Sequence, residues 1–225
     1  MLTEFSKLQF EEKEHTYTLE GRRLPSVSKT VSKFYEPFDS KVIKYSAIKH
    51  KTTVKKLATK WKRIKTIALT KGNRVHDFAE AYAKTIKYGT PTNLIPTLED
   101  EFKIVEFFFK HRGYEIVGIE QRVYSEKFEF AGTFDLLLKR KDKYIIVDWK
   151  TNKDVYKNYK GKTMLSPFSK YLDQPISKYF IQLSLYQICL EEYGYNISER
   201  WVYWTTTGEL IKTPDLTKEL KLALK

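Results

Sequence analysis

Three consecutive β-rich runs in the second half of the chain limit its fold more than any other feature. YEIVGIEQRVYS (114–125), AGTFDLLLKR (131–140) and KYIIVDWKT (143–151) are rich in aliphatic, β-branched and aromatic residues, and short polar turns join them. Runs of this length with short connections predict an antiparallel meander. With helical patterns before and after the meander, the chain is expected to form an α/β or α+β domain with a mixed sheet.

Helical periodicity predicts four helices around this meander. Apolar residues at steps of three and four indicate a helix within 41–70, Gly72 and Asn73 indicate a break, and a second helix is expected at 74–87. LEDEFKIVEFFFKHRG (98–113) predicts a third helix, and SKYFIQLSLYQICLEEYG, starting at Ser177, predicts a fourth. NISERWVYWTTTG after it reads as a further strand.

The chain is expected to form one domain with three regions. Residues 1–71 would hold a short β-hairpin (8–20), a capped helix and a basic helical region. Residues 72–212 would form the core, and residues 213–225 would be a C-terminal tail. With 225 residues, 41% of them hydrophobic and 15% aromatic, the chain can bury a sizeable core.

Composition also narrows the cellular setting. No apolar run approaches the roughly 18 residues of a membrane span, and the N-terminus lacks the pattern of a signal peptide. Cys189 is the single cysteine, which excludes an internal disulfide and a zinc or iron–sulfur cluster held by several cysteines. The protein is therefore expected to be cytoplasmic, and neither secreted nor bound to a membrane.

The basic charge is concentrated in the first third of the chain. The formal net charge is +13, and residues 40–76 contain twelve Lys and Arg but no acidic residue. A solvated helical face is the simplest explanation of such a run. Because Tyr45 and Trp61 are interleaved with the charges, a folded surface for a polyanion is the alternative, and nucleic acid fits it better than a membrane surface. The apolar stripe that includes Val54, Leu57 and Ile64 reads as ordinary core.

Carboxylates and a lysine gather at the ends of the predicted strands. Side chains at i and i+2 of a strand share a face, so Asp148 and Lys150 are neighbours and Trp149 points the other way into packing. Asp135 follows Gly132 on the preceding strand, where a hairpin would bring it to the same edge. Glu120, one strand earlier, can reach that edge too. Read alone, Asp148 and Lys150 would be a surface ion pair.

Three carboxylates beside one lysine repel each other unless a cation joins them. Hard oxygen ligands favour Mg²⁺ or Mn²⁺, whose retained waters supply a nucleophile. His76 in GNRVH could be a further ligand, although a lone histidine is more often a packed or surface residue. Gln182 and Tyr186, four residues apart on one helical face, could bind a phosphate or a base, or belong to an ordinary amphipathic helix.

Taken in order, these segments resemble the RecB-like branch of the PD-(D/E)xK nucleases. The matching segments are GNRVH (72–76), Glu120, GTFD (132–135), IIVDWKT (145–151) and Gln182 with Tyr186. The upstream RRLPSVSKTV (22–31) resembles the L-P-S-V-T segment of phage nucleases and of the mitochondrial genome maintenance exonuclease, with Ser28 in place of Thr. The resemblance thus covers most of the chain and implies a restriction-endonuclease-like core with a helical N-terminal elaboration.

The resemblance implies metal-dependent hydrolysis of phosphodiester bonds with one or two Mg²⁺ or Mn²⁺ ions. Many relatives also hold an iron–sulfur cluster with four cysteines, which this chain, with Cys189 alone, is not expected to form. It gives His76, Asp135, Asp148, the Trp149 carbonyl and, more weakly, Glu120 as metal ligands, and Lys150 as the catalytic lysine. Gln182 and Tyr186 would support the site or contact DNA. The basic region would track the DNA backbone, with its contacts at Lys55, Lys56, Lys60, Trp61, Lys62, Arg63 and Arg74.

Three functions remain open at this stage. The first is a deoxyribonuclease, in particular an exonuclease that prefers single-stranded DNA or DNA ends and serves replication, repair or phage genome processing. The second is a structure-specific endonuclease acting on flaps or junctions. The third is a nucleic-acid-binding module without catalysis.

Overall fold

The computed structural model of the protein describes residues 2–90, 94–159 and 161–225. Within these ranges a five-stranded mixed sheet is flanked by helices, and a three-stranded sheet precedes it, so the predicted α/β fold with a restriction-endonuclease-like core is confirmed. The strands are β1 (Leu8–Glu11), β2 (Thr16–Leu19), β3 (Arg22–Leu24), β4 (Glu115–Ser125), β5 (Phe130–Arg140), β6 (Lys143–Lys150), β7 (Ile197–Trp204) and β8 (Glu209–Lys212). The α-helices are α1 (Val27–Val31), α2 (Lys41–Lys49), α3 (Val54–Tyr88), α4 (Glu99–Lys110), α5 (Pro175–Glu191) and α6 (Thr217–Ala223).

The large sheet has the order β4-β5-β6-β7-β8. Strands β4, β5 and β6 pair antiparallel in the predicted meander. Strand β7 then pairs parallel to β6, because α5 crosses over between them and returns the chain in the same direction. Strand β8, which the sequence patterns did not reveal, pairs antiparallel to β7 and completes the edge.

Two hydrophobic cores cover the two faces of this sheet. On one face β1, β2, α1 and α5 pack against residues such as Ile146 and Val202. On the other face the C-terminal half of α3 and helix α4 pack against Val147, Trp149 and Trp201. Neighbouring positions of β6 thus enter opposite cores, as the two-residue repeat of a strand requires.

The N-terminal region extends the predicted hairpin to a third strand, β3, before a capped helix. The side chain of Ser26 accepts a hydrogen bond from the N–H of Lys29 and caps α1. At the other end of the chain, the predicted tail contains α6, and its Leu220 is fully buried. The predicted division at residue 72 falls inside α3, and the assignment of three regions stays a prediction.

The predicted helix break at Gly72 and Asn73 is wrong. Helix α3 continues through both residues from Val54 to Tyr88, a length of about 50 Å. The chain does break earlier, where Thr53 caps α3 by accepting a hydrogen bond from the N–H of Lys56. A glycine inside a helix costs only about 1 kcal/mol relative to alanine, which packing can offset.

Two ion pairs with helix α4 hold α3 on both sides of Gly72. Lys71 lies 2.7 Å from Asp100, and the guanidinium of Arg74 lies 2.8 Å from Glu101. The other oxygen of Glu101 accepts the N–H groups of Thr97 and Leu98 at the start of α4. These long-range contacts cannot be read from the local sequence, which is why the glycine misled the prediction.

The apolar stripe on the N-terminal half of α3 is not core, contrary to the sequence-based interpretation. Leu57 is buried, but Val54 is 42% exposed and Ile64 is 55% exposed. Of the residues expected to face inward on the C-terminal half, Val75 and Phe78 are buried, whereas Ile86 is 48% exposed. The first half of α3 therefore extends away from the two cores.

Two smaller points complete the description. Helix α5 begins at Pro175 rather than at Ser177, because proline fits the first turn of a helix, where no backbone N–H is needed. The expected core positions Leu183, Leu185 and Leu190 on α5 are all fully buried. Among the described residues, no helix is both long and apolar enough to cross a membrane.

Candidate metal centre and active site

The end of β6 carries the acid and the lysine that the sequence singled out. Trp149 points into the core against Phe107, with ring centroids 4.9 Å apart, and is 2% exposed. Asp148 and Lys150 point to the opposite face, where α5 packs. The Lys150 ammonium lies 2.6 Å from Oδ2 of Asp148, and their side chains are 16% and 1% exposed.

Three predicted ligands converge from three different elements. His76 comes from α3, Glu120 from β4 and Asp135 from β5, and one ligand atom of each lies within 4.8 Å of the others. Nδ1 of His76 is 3.5 Å from an Asp135 oxygen and 4.0 Å from a Glu120 oxygen. This pairing of imidazole and carboxylate donors suits a divalent cation.

The backbone at Glu120 is unusual in a way that fits this convergence. Its φ of +43° lies in the left-handed region that residues other than glycine rarely adopt. Such a conformation costs on the order of 1–3 kcal/mol and tends to be found at functional sites. It occurs where Glu120 faces Asp135, between the register pairs that Ile119 and Gln121 make with β5.

The electrostatics of the cluster also favour a cation. Burial and the negative charges of Asp135, Glu80, Asp148 and Asp77 raise the pKa of Glu120 to about 9. A carboxyl group held in this way is costly to ionise unless a positive charge joins it. A bound cation would remove that cost.

Asp148 lies next to this cluster and is also under-satisfied. Burial raises its pKa to about 6, and the neighbouring Lys150 opposes this only in part. Oδ1 accepts a hydrogen bond from the Gln182 amide at 3.2 Å, but no donor in the described residues is aligned on the buried Oδ2. An oxygen that is close to a positive charge yet lacks an aligned donor is suited to a metal or to a substrate-linked water.

The carbonyl of Trp149 faces the same site. The N–H of Trp149 donates to Oδ2 of Asp135 at 2.7 Å, while the carbonyl of Lys150 accepts from Thr205 on β7. Backbone groups of successive strand residues point to opposite sides, so the Trp149 carbonyl points toward β5 and Asp135. His76, Glu120 and Asp135 could thus hold a divalent cation, while Asp148 and the Trp149 carbonyl as further ligands stay a prediction.

Lys150 is held as a cation. Burial acts to lower its pKa, but the negative charge of Asp148 and its other acidic neighbours outweigh burial and raise the pKa above its usual value. The positive charge is therefore retained at neutral pH beside the proposed ligands. A compact ammonium in this place can attract a phosphate oxygen.

Helix α5 supports β6 from one side. Gln182 donates to Asp148 and lies 3.4 Å from the Tyr186 hydroxyl, so the two polar residues of the Q-x-x-x-Y pattern form one chain of contacts. Tyr186 also packs against Gly132, where an added Cβ would lie 2.8 Å from its ring. The glycine of GTFD thus allows α5 to approach β5 closely.

The predicted DNA contacts lie on α3, apart from the carboxylates. Most are exposed to solvent, namely Lys55, Lys56, Lys60, Lys62 and Arg63. Trp61 is half-buried, with its ring 6.2 Å from that of Phe38. Arg74 is held by Glu101, and it also donates to the Thr97 hydroxyl. Their contacts with DNA stay a prediction.

The sequence reasoning missed several neighbours of the site. Glu80 lies one helical turn after His76, and that spacing of four was a usable signal. Tyr179 lies against Lys150 and donates to the side chain of Asn152. No sequence pattern indicated these contacts, since they depend on how α5 docks on β6.

Comparison with known proteins covers the C-terminal part of this arrangement. A family model for the PD-(D/E)XK nuclease superfamily matches residues 97–222, a little over half of the chain. The match includes Glu120, Asp135, Asp148 and Lys150 but begins after His76 and the basic part of α3. A search of the curated proteins finds no match. From the family match, supported by the fold and by the cluster of acids and lysine, the chain belongs to the PD-(D/E)XK nuclease superfamily.

Proposed function

We propose that this chain is a metal-dependent deoxyribonuclease of the RecB-like exonuclease type, which degrades single-stranded DNA from an end. The observation that carries the proposal is the convergence of His76, Glu120 and Asp135 within 4.8 Å, beside the ion pair of Asp148 and Lys150. An inert binding module would have no need to gather these five ionisable groups, with Asp135 and Asp148 buried, because burying a charged group costs free energy.

The metal would be held by His76, Glu120 and Asp135, with Asp148 and the Trp149 carbonyl beside them. A bound Mg²⁺ or Mn²⁺ supplies Lewis-acid polarisation of the phosphate and lowers the pKa of water. The protein contributes a fixed set of donors, since the backbone of Trp149 holds Asp135 in place.

Lys150 would act on the scissile phosphate. Its side chain is largely buried and positively charged, and it forms an ion pair with Asp148. An ammonium aimed at the place where negative charge develops stabilises the transition state, and removing one such donor typically slows a reaction about 10²–10³-fold. Gln182 would keep the Asp148 carboxylate oriented through its hydrogen bond to Oδ1.

The N-terminal half of α3, together with α2, would guide the strand. Residues 40–76 carry twelve basic and no acidic residues, and the exposed half of α3 brings Lys60 and Lys62 clear of the two cores. Exposed aromatic rings lie in the same region, with Phe38 69% and Tyr45 71% exposed. Single strands are bound by basic surfaces that also offer rings for base stacking, which supports the preference for single-stranded DNA.

End-labelled and circular DNA test this function together. Linear single-stranded DNA labelled at either end should be degraded with Mg²⁺ or Mn²⁺ and be spared in a chelator, while circular single-stranded DNA should stay intact. Cutting of the circle would favour the endonuclease alternative. If neither metal supports cleavage of single-stranded, duplex, flap or junction DNA, the protein is a binding module and the proposal is wrong.

Two lysines of β6 give a matched pair of variants. Lys150→Ala should lose cleavage about 10²–10³-fold while DNA binding in a chelator is retained. Lys143→Ala removes an exposed lysine at the other end of the same strand and should cleave like the wild type. Equal cleavage by both variants would contradict the role of Lys150.

A further inference from the structure

Helix α5 places a row of three polar or aromatic side chains on its face toward β5 and β6. Tyr179, Gln182 and Tyr186 lie at positions i, i+3 and i+7, so they share one helical face. Gln182 contacts Asp148, and three residues earlier the ring of Tyr179 lies against Lys150. The row therefore begins one turn before Gln182, and its first member meets the lysine rather than the aspartate.

Tyr179 is well placed to fix the ammonium of Lys150. The Nζ atom of Lys150 lies 4.6 Å from the centroid of the Tyr179 ring, within the range of a cation–π contact. The Tyr179 hydroxyl donates to Oδ1 of Asn152 at 2.7 Å. The backbone carbonyl of Asn152 in turn accepts from the indole of Trp204 at 2.6 Å.

A ring holds a lysine differently from a second carboxylate. A lysine side chain has four rotatable methylene groups and loses much rotamer freedom when it is fixed. Another carboxylate would take one of its N–H donors and neutralise its charge. The aromatic face attracts the ammonium through its quadrupole and leaves the N–H donors available for a phosphate oxygen.

We propose that Tyr179 is a positioning residue that keeps the Lys150 ammonium in place for phosphodiester cleavage, an inference that rests on the proposed nuclease function. The ring itself holds the ammonium, and the hydrogen bond of its hydroxyl to Asn152 is an additional contact that is not required for this role. Tyr179 acts through Lys150 and does not itself need to touch the DNA. Its loss therefore affects the cleavage rate and not the binding of DNA.

Substitutions that keep or remove the ring test this role. Tyr179→Leu removes the ring, and its single-turnover cleavage of end-labelled single-stranded DNA with Mg²⁺ should be about 10- to 30-fold slower. Tyr179→Phe keeps the ring and should stay close to the wild type. DNA binding in a chelator and the melting temperature should be similar for both variants.

Tyr171 provides the matched control. Its ring also lies under a lysine, with Nζ of Lys170 5.2 Å from the centroid, and it is half-buried against Phe180 just before α5. Tyr171→Leu removes a similar pair away from the carboxylates and should leave the cleavage rate unchanged. A loss equal to that of Tyr179→Leu would mean that general loosening of this region, and not the position of Lys150, slows the reaction.

The contact itself can be observed without activity. In protein with ¹³Cε-labelled lysine, the ε-methylene resonance of Lys150, assigned by its loss in Lys150→Arg, should be shifted upfield by the Tyr179 ring. The upfield shift should persist in Tyr179→Phe and disappear in Tyr179→Leu. Absence of the shift in the wild type would overturn the inference.

Three other results would overturn it as well. These are full cleavage by Tyr179→Leu, an equal loss in Tyr179→Phe, and weaker DNA binding with an unchanged rate at saturation, which would make Tyr179 a DNA contact. A wild type that cleaves no DNA overturns the proposed nuclease function instead. The resonance of Lys150 separates that case, because it reports the contact with Tyr179 whether or not DNA is cleaved.

Discussion

Gly132 lies where three separate segments of the chain meet, and adding one methyl group there should destabilise the protein. A Cβ at this position would lie 2.8 Å from Cε1 of Tyr186 and 2.8 Å from Cγ2 of Val27. Both neighbours are buried, with 4% and 2% of their surface exposed. Contacts this short do not occur between real Cβ atoms and their neighbours, so Gly132→Ala forces α1 or α5 to move.

The size of the effect follows from two opposing contributions. Overpacking a well-packed core costs about 1–3 kcal/mol. Replacing glycine by alanine inside a strand returns about 0.5–1 kcal/mol, because the unfolded chain loses freedom. Because both contacts are 2.8 Å and both neighbours are buried, we expect the upper part of the overpacking range, about 2–3 kcal/mol. Gly132→Ala should therefore lower the free energy of unfolding by about 1–2.5 kcal/mol. Since Tyr186 contacts Gln182, which donates to Asp148, cleavage should fall as well.

Urea denaturation of five proteins checks this reasoning, namely the wild type, Gly132→Ala, Gly113→Ala, Val27→Ala and the double variant Val27→Ala/Gly132→Ala. Gly113→Ala is the control, since no atom lies within 4 Å of a Cβ there, and its stability should be unchanged or slightly higher. Val27→Ala creates room beside Gly132, so Gly132→Ala should cost at least about 0.5 kcal/mol less in that background. The reasoning is refuted if Gly132→Ala is as stable as the wild type, or if its cost is the same with Val27 and with alanine at that position.

Three further outcomes are expected. Glu101→Gln should lower the free energy of unfolding by about 1.5–3 kcal/mol at pH 7, because the amide cannot accept charge-assisted hydrogen bonds from the backbone and Arg74. Burial acts to raise the pKa of Glu101, but those hydrogen bonds outweigh burial and lower the pKa below its usual 4.5. The stabilisation by Glu101 is therefore present above pH 4.5 and is lost as pH falls below that value. Urea titrations at pH 7, 5 and 4 should show the stability difference between Glu101→Gln and the wild type becoming smaller at low pH. Mg²⁺ or Mn²⁺ at a hundred times its dissociation constant should add about 2.7 kcal/mol to the stability of the wild type. The gain is measured as a rise in melting temperature over a chelator control, and the rise should be much smaller for Asp135→Asn. Replacing Lys60 and Lys62 together by Gln should reduce the slope of log K for single-stranded DNA against log salt by about 1.4, whereas an unchanged slope would show that α3 does not follow the backbone.

The strand region could be predicted well because its determinants are local. The two-residue repeat of a strand places Asp148 and Lys150 on one face and Trp149 on the other, and the packing of Trp149 against Phe107 follows that rule. Short polar turns define the hairpin, so Asp135 reaches the same end of the sheet as Asp148. Such features depend on residues close in the sequence.

The long helix could not be predicted because distant residues determine it. Gly72 is a local signal for a break, but Lys71 and Arg74 pair with acids of α4 that follow about 30 residues later. The first half of α3 was predicted to pack in the core but is largely exposed. An apolar stripe such as the one with Leu57 and Ile64 has the same sequence pattern whether or not another element covers it. Periodicity indicates a helix and says little about what packs on it.

Contacts of the site that depend on how α5 packs on the sheet could not be predicted from the sequence either. Tyr179 meets Lys150 only because α5 lies on β6 at one register, and that register is set by the buried leucines of α5 and by the absence of a side chain at Gly132. No spacing within 177–194 distinguishes Tyr179 from an ordinary amphipathic position. The sequence therefore predicts the reactive residues of the strand, Asp148 and Lys150, but not the neighbouring side chains that position them.

Packing explains why three of the sequence motifs belong together. Val27 of the L-P-S-V segment and Tyr186 of Q-x-x-x-Y both lie 2.8 Å from the place where a side chain of Gly132 in GTFD would be. The three motifs therefore meet at one packing contact around Gly132, in which Val27 serves only to fill space. Ser28, the position that departs from the pattern, is exposed, and its hydroxyl lies 3.0 Å from the Ser26 hydroxyl. The change from Thr to Ser therefore leaves this contact intact, whereas a change at Val27 would be transmitted through Tyr186 and Gln182 to Asp148.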